Sequence, residues 1–363
     1  MPNGDTAPRS GGRNLLLRLR TAAGASRSRP EIERQVNLAL AVLVTSAIVT
    51  GLAANTSGTP AGRWLIVVHG VAGLGLLVLS RRKTRIAGRS LNRSRRRPGH
   101  RLSLTLAVLV VVTVITGLIE STGTTYWLGP LTTMQVHIGS AVAAIPLVVV
   151  HFRSRPARPR AADLSRRTVL RAGLVGAAAG GAWLGWEALL RTTGAPGATR
   201  RFTASHERGS GDPGAMPVTQ WLDDTVQHID AAAWVLEVGA DTYDLAALRR
   251  MPQDDITAIL DCTSMWYAEQ QWRGVRLDRL IDLGHAPSVE IASATGYALR
   301  LPARDLANLW LALDVAGRPL SAGHGFPARL VAPGRRGFWW VKWVTGIRPS
   351  QVPWWVQSPF PLT

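Results

Sequence analysis

Five apolar stretches, at about Val36–Ala54, Trp64–Ser80, Leu102–Ile119, Met134–Phe152 and Val169–Leu190, constrain this chain more than any other feature. A helix that crosses the hydrocarbon layer of a bilayer needs about 20 mostly apolar residues. Each stretch comes near that length almost free of internal charge. A surface helix of a soluble protein would be polar on one face, whereas these are apolar all round and bounded by arginine clusters. The chain therefore reads as an α-helical transmembrane bundle of five spans. A basic segment, residues 1–35, precedes it and a long region, residues 191–363, follows it.

The arginines also give the orientation, because Lys and Arg collect on the cytoplasmic side. Residues 1–35 hold 7 basic residues, 81–101 hold 10 and 153–171 hold 7, while the loops 55–63 and 120–133 hold only Arg63. The N-terminus is expected inside a bacterial cytoplasmic membrane, with everything after about Arg191 outside it. The net charge of +19 lies wholly in the first half. Residues 1–190 carry 25 Lys and Arg against 6 Asp and Glu, and residues 191–363 carry 17 of each. Basic clusters interleaved with apolar runs argue for the lipid bilayer as partner and against nucleic acid. Residues 153–190 combine a cytoplasmic loop with the fifth helix, and Ser165-Arg166-Arg167-Thr168-Val169-Leu170 opens that helix. This motif resembles the twin-arginine export signal, with Val169 where Phe is commoner. It implies an outer domain exported already folded; an ordinary basic flank is the alternative.

The first four spans, residues 36–152, are a duplicated hairpin. Leu38–Leu52 and Leu104–Leu118 are identical at nine of fifteen positions, and Val68-His69-Gly70 is echoed by Val136-His137-Ile138-Gly139. His69 and His137 thus fall at equivalent places near the outer ends of the second and fourth helices. Two histidines facing each other across a bundle suit axial ligation of a non-covalently held haem b. The competing reading is a histidine that only hydrogen-bonds a neighbouring helix. His151 lies 14 residues after His137, about 21 Å along the helix and on nearly the same face, so the two are not ligands of one haem. The spacing resembles that of di-haem membrane cytochromes, which makes His151 the candidate ligand of a second haem. Its positional partner in the second helix is Lys83, leaving His100 as the remaining choice, and an interfacial, snorkelling His151 is the plainer reading.

The chain has one cysteine, Cys262. That excludes a disulfide framework, a cysteine-ligated zinc or iron–sulfur centre and a covalently attached c-type haem. Gly70, Gly73 and Gly75 lie inside a span and form no phosphate loop. After a Gly-, Ala- and Pro-rich linker at Thr192–Arg200, short alternating runs predict strands at Ala233–Val238, Ile256–Leu260, Val289–Ala292, Ala298–Leu301, Leu309–Val315, Ala328–Val331 and Trp339–Val344. Short helices are expected at Leu245–Arg250, Arg276–Leu283 and Ala303–Ala307. The fold class of residues 191–363 is α+β, mostly strand.

Five blocks of this region carry a resemblance. They are Leu260-Asp261-Cys262-Thr263-Ser264; Trp272-Arg273-Gly274-Val275-Arg276-Leu277; Ser293-Ala294-Thr295-Gly296-Tyr297; Gly323-His324-Gly325-Phe326-Pro327-Ala328-Arg329-Leu330-Val331-Ala332-Pro333-Gly334; and Phe338-Trp339-Trp340-Val341-Lys342-Trp343. In order and separation, across about Trp234–Pro349, they resemble the molybdenum domain of the sulfite oxidase family. The resemblance implies a molybdopterin cofactor, with Cys262 as the catalytic molybdenum ligand, a role that suits a soft thiolate. It also implies pterin and phosphate contacts from His324, Arg329 and Lys342, and a further contact from His206 within Thr203–Ser210. Trp266, Tyr267 and Trp272 line a substrate mouth or belong to the core, with core favoured for Trp272. Without the resemblance, Cys262 reads as an inert buried residue. The arginine cluster that binds sulfite in the animal and plant enzymes has no clear counterpart. The layout resembles instead the bacterial reductases that work with a separate haem membrane subunit, here fused into one chain.

These readings combine into a membrane-bound molybdopterin oxidoreductase. It would transfer an oxygen atom to or from a small sulfur or nitrogen substrate and exchange electrons with the quinone pool, or another membrane redox partner, through haem b. Two other classes stay open: a haem-only electron carrier, and a tethered binding or structural protein whose outer domain has lost its metal.

Overall fold

The computed structural model describes residues 29–91, 100–124, 126–154, 160–220 and 224–358. Helices α1 (Arg29–Thr56) and α2 (Arg63–Leu91) form one hairpin, and α3 (His100–Ser121) and α4 (Thr133–Ser154) form the second. The two-residue strands β1 (Trp127–Leu128) and β2 (Leu131–Thr132) tighten the turn between α3 and α4. The long helix α5 (Arg166–Thr192) lies against α2. Small residues allow the approach: Gly70 sits under the Trp183 ring, where a Cβ would come within 2.0 Å of it, and Gly75 faces Ala179.

Among the described residues four helical stretches are long and apolar enough to cross a membrane: Glu31–Thr56, Pro60–Ser80, Arg101–Ser121 and Thr133–Ser154. The fifth expected span is one continuous helix, α5, but is not among these four. Its glycines and alanines, with Arg171 inside, dilute its apolar character. Arg166 and Arg167 of the arginine motif form its first turn, behind Ser165. Of the residues raised for a second haem, the side chains of His100 and Lys83 lie outside the described ones.

The C-terminal domain is built on two sheets. The first comprises β3 (His206–Glu207), β6 (Asp254–Asp261), β7 (Trp266–Arg276), β10 (Trp310–Val315), β11 (Arg318–Pro319) and β12 (Arg329–Val331). Its spine is β7, which pairs with β6 along one edge and with β3 and β10 at opposite ends of the other. Trp266, Ala268, Gln270, Trp272 and Gly274 all point inward from it, as the period of two requires. At Gly274 the β10 backbone comes so close that a Cβ would lie 2.0 Å from the Leu311 carbonyl. Strands β4 (Val235–Val238), β5 (Asp241–Asp244), β8 (Ser288–Ser293), β9 (Ala298–Pro302) and β13 (Val344–Ser350) make the second sheet, ordered β5-β4-β13-β8-β9. The core between them is rich in Leu, Val and Trp, with Trp272, Trp340 and Trp343 fully buried.

The predicted strands agree with the structure at six of the seven places, within a few residues at their ends. Trp339–Val344 is the exception. Gly337–Trp339 is a single helical turn, Trp343 has φ 49°, and the strand starts only at Val344. Of the short helices, α6 (Leu245–Arg250) forms as expected, whereas Arg276–Leu283 and Ala303–Ala307 reduce to 3-10 turns at Leu277–Arg279 and Ala303–Asn308. The linker is not a free tether. Gly197 packs on the end of α3, where a Cβ would lie 2.0 Å from the Ser121 carbonyl, and its N–H donates to Thr122 O at 2.8 Å.

Candidate functional site

Cys262 sits in the four-residue turn that joins β6 to β7. Its N–H donates to Trp266 O at 2.8 Å, Met265 N–H donates back to Cys262 O at 3.2 Å, and Met265 takes a left-handed φ of 69° to close the turn. The Ser264 N–H points at the sulfur, 3.5 Å away. Gly337 packs on the Cys262 backbone, where any Cβ would be 3.1 Å from Cys262 Cα. The thiol is half-buried and free, fixed from both sides on a rigid hairpin.

Three of the expected contact residues gather on one side of this loop. Lys342 donates through Nζ to Thr219 O at 2.7 Å, Gly323 O at 2.8 Å and Gln220 Oε1 at 3.2 Å. Burial pushes its ammonium down to about 7, helped by the neighbouring Arg329 and opposed by Cys262 and Asp224. Arg329 is wholly buried between the rings of Trp272 and Trp340, with its guanidinium carbon 5.2 and 5.8 Å from their centroids. It donates to His324 O and Trp340 O. Desolvation lowers it to about 10, and the only opposing influence is Cys262. His324 holds Ser321 Oγ through Nδ1 at 2.8 Å, and burial with the charges of Arg329 and Lys342 brings it down to about 4. The adjacent Gly325 has φ 104°, a conformation suited to glycine.

His206, on β3 beside the start of β7, accepts from Arg208 Nε at 3.1 Å, and burial and Arg208 lower its pKa. Trp272 is core, as expected, and donates to Ala258 O. Trp266 is core as well, while Tyr267 is half-buried and covered by Arg201.

A residue that sequence reasoning passed over is the most constrained of all. Arg336 is 1% exposed and donates to Asp261 Oδ1 at 2.7 Å, Ser205 Oγ at 3.3 Å and Cys262 O at 3.0 Å. Thr203 and Ser205 also donate to Asp261, at 2.7 Å each. The only sequence signal was its place in Gly334-Arg335-Arg336-Gly337, between two of the quoted blocks.

Whether a molybdopterin suits these residues is tested by what they leave unmet. His206 Nδ1, His324 Nε2 and Arg329 Nε are buried without a hydrogen-bond partner. Orphaned buried polar atoms are costly, and buried cations without carboxylates more so. Among the described residues the side-chain partners of Arg329 and Lys342 are carbonyl and amide oxygens, not carboxylates. A ligand with several anionic oxygens beside a thiolate-bound metal meets those needs, so the residues fit.

A second site lies in the bundle. His69 of α2 and His137 of α4 face each other with ring centroids 5.9 Å apart at 74°. Each engages a backbone carbonyl through Nδ1, His69 that of Ala47 at 2.8 Å and His137 that of Thr113 at 2.7 Å. These carbonyls are equivalent positions of the duplication. Donating from Nδ1 fixes the tautomer that leaves Nε2 free as a ligand. Metal–imidazole bonds of about 2 Å on both sides put ring centroids on the order of 6 Å apart, so this spacing also fits. Gly51 and Gly117 underlie the rings, with Cβ positions that would fall 2.9 and 2.8 Å from His69 and His137. The two histidines line an apolar cavity of about 280 Å³ whose wall also includes Thr263 and Arg336 of the C-terminal domain. His151 is buried further along α4 and is not among the cavity's lining residues.

Residues 223–355 match the family model described as oxidoreductase molybdopterin binding domain. No curated protein matches the chain. Among solved structures, the sulfane dehydrogenase SoxCD from Paracoccus pantotrophus is similar at 20% identity and a TM-score of 0.33, over 35% of this chain and 40% of that one. The mostly β fold, the Cys262 loop and the family match converge on one region: residues 223–355 are similar to an oxidoreductase molybdopterin-binding domain.

Proposed function

We propose that this protein is a membrane-bound oxygen-atom-transfer enzyme whose outer domain exchanges electrons with the membrane through a haem b held by His69 and His137. The observation that carries this reading is the pair of imidazoles 5.9 Å apart in a cavity that reaches the loop of Cys262. Support for the membrane location comes from the four long apolar helices and their lipid-suited surfaces, with Val42, Leu104 and Val142 more than half exposed.

In this reading Cys262 holds the metal, while His324, Arg329 and Lys342 meet the anionic oxygens of the pterin. Bound there, the molybdenum cofactor supplies oxygen-atom transfer with a two-electron change. In the reducing direction an S-oxide or N-oxide takes up two electrons and two protons and yields the deoxygenated product and water. A haem held by His69 and His137 would supply those electrons singly from the quinone pool. The protein's part is orientation: a hairpin that fixes Cys262, buried donors that hold the cofactor, and a docked bundle that keeps the haem site beside it. His206 is placed as a further cofactor contact, and its unpartnered Nδ1 is the atom for it.

The test is metal analysis and a reduced-minus-oxidised optical spectrum on the detergent-purified chain. Molybdenum and haem b near one per chain would support the reading. Haem without molybdenum would leave an electron carrier, and molybdenum without haem would remove the proposed electron route.

A further inference from the structure

Axial ligation leaves one end of the bundle cavity unexplained. That end is walled by the outer domain, through Arg200, Thr203, Ala204, Thr263, Met265 and Arg336. Arg336 is the unusual member: its side chain is 1% exposed and its Nε has no hydrogen-bond partner. The other two guanidinium nitrogens are engaged, with Asp261 and Ser205 on one and Cys262 O on the other.

Three guanidiniums and three carboxylates meet at this end of the cavity. Asp261 is shared by Arg336 at 2.7 Å and Arg201 at 3.3 Å, so two guanidiniums meet one carboxylate. Arg200 is matched by Glu187. Glu120, the other charged residue on the wall, accepts from the Thr133 hydroxyl. A buried guanidinium with a free N–H on the wall of an apolar cavity calls for a hydrogen-bond acceptor there. A haem b carries two carboxylates on one edge of an apolar plane and supplies such an acceptor.

We propose that Arg336 Nε donates to a haem propionate, so that the haem lies with its carboxylate edge toward the outer domain. One guanidinium then joins the haem edge to the carbonyl of Cys262. This rests on the reading of His69 and His137 as haem ligands. Arg336 is a positioning residue here: it fixes the haem edge against the Cys262 loop, and its charge favours the ferrous haem.

The experiment uses the full chain in detergent, wild type beside Arg336→Gln and Arg336→Lys. It combines spectroelectrochemical titration, resonance Raman of the propionate bending bands, and molybdenum content. Arg336→Gln is expected to keep the bis-histidine spectrum, lower the ferrous-to-ferric ratio at fixed potential about tenfold (about 59 mV) and shift the propionate bands. Arg336→Lys, which keeps the charge but not the fork, is expected to restore most of the potential and leave the bands shifted. A haem whose potential and propionate bands match wild type in both variants overturns the proposal while leaving the haem reading intact. A wild-type chain without a bis-histidine spectrum overturns both.

Discussion

The rings of His69 and His137 lie 5.9 Å apart between centroids with their planes at 74°, and each is pinned through Nδ1 to a carbonyl of the preceding helix. The two pinning carbonyls, of Ala47 and Thr113, stand at matching positions of the internal duplication. Both rings also rest on a glycine of the same repeat, Gly51 or Gly117. The bundle is therefore symmetric in what holds the imidazoles as well as in the imidazoles themselves.

Those glycines give the first prediction. A methyl at Gly51 or Gly117 would sit under 3.0 Å from ring carbons, so the ring must tilt. Gly51→Ala and Gly117→Ala are each expected to cut haem content at least tenfold in the purified chain, read from the reduced Soret band. An alanine at Gly176, beside which nothing lies within 4 Å and which does not line the cavity, should leave it unchanged.

Cys262→Ser should abolish bound molybdenum while the haem spectrum persists, because the hairpin backbone that fixes residue 262 is made by main-chain bonds. Metal analysis beside an optical spectrum reads both at once. Retention of molybdenum in the variant would disprove the assignment of Cys262 as ligand.

The pH dependence follows from His324. Its folded pKa is about 4, against an ordinary value of 6.5, because burial and two cations oppose its protonation. The unfolded chain therefore binds more protons between these values, and stability falls as pH drops from about 6.5 to about 4, with the loss complete below that. The change is on the order of 3 kcal/mol. Denaturant melts of chain prepared without cofactor should show this slope, and His324→Gln should flatten it.

Trp272 is fully buried, donates to Ala258 O and covers one face of Arg329. Trp272→Ala is expected to destabilise the outer domain by about 3–5 kcal/mol, measured by denaturant unfolding. Trp272→Phe should cost less, since it keeps a ring against the guanidinium and loses only the indole N–H.

Much of this was legible in the sequence. The apolar runs gave α1 to α4 because a membrane-spanning length leaves few other readings, and the repeat pointed to His69 and His137 together. Short alternating runs gave most of the sheet strands. The spine β7 escaped because Glu269, Gln270, Gln271 and Arg273 mask its alternation. Gln270 is buried by hydrogen-bonding Gly209 O, which hydropathy does not register. The run Trp339–Val344 misled for the opposite reason, since a loop fills the core with tryptophans from consecutive positions. Arg336 was hidden because a buried arginine is legible only through its partners, and Asp261, Ser205 and Cys262 lie 75, 131 and 74 residues away.

The seating of Gly197 on the end of α3 makes the connection between bundle and outer domain a joint. An enzyme whose electron carrier swings on a long leash must search for its partner at every turnover, and solvent friction slows it. On the proposed haem route the gap would be set once, when the chain folds. Turnover should then be indifferent to added glycerol or sucrose, and widening the joint with Gly197→Val would introduce a viscosity dependence where there was none.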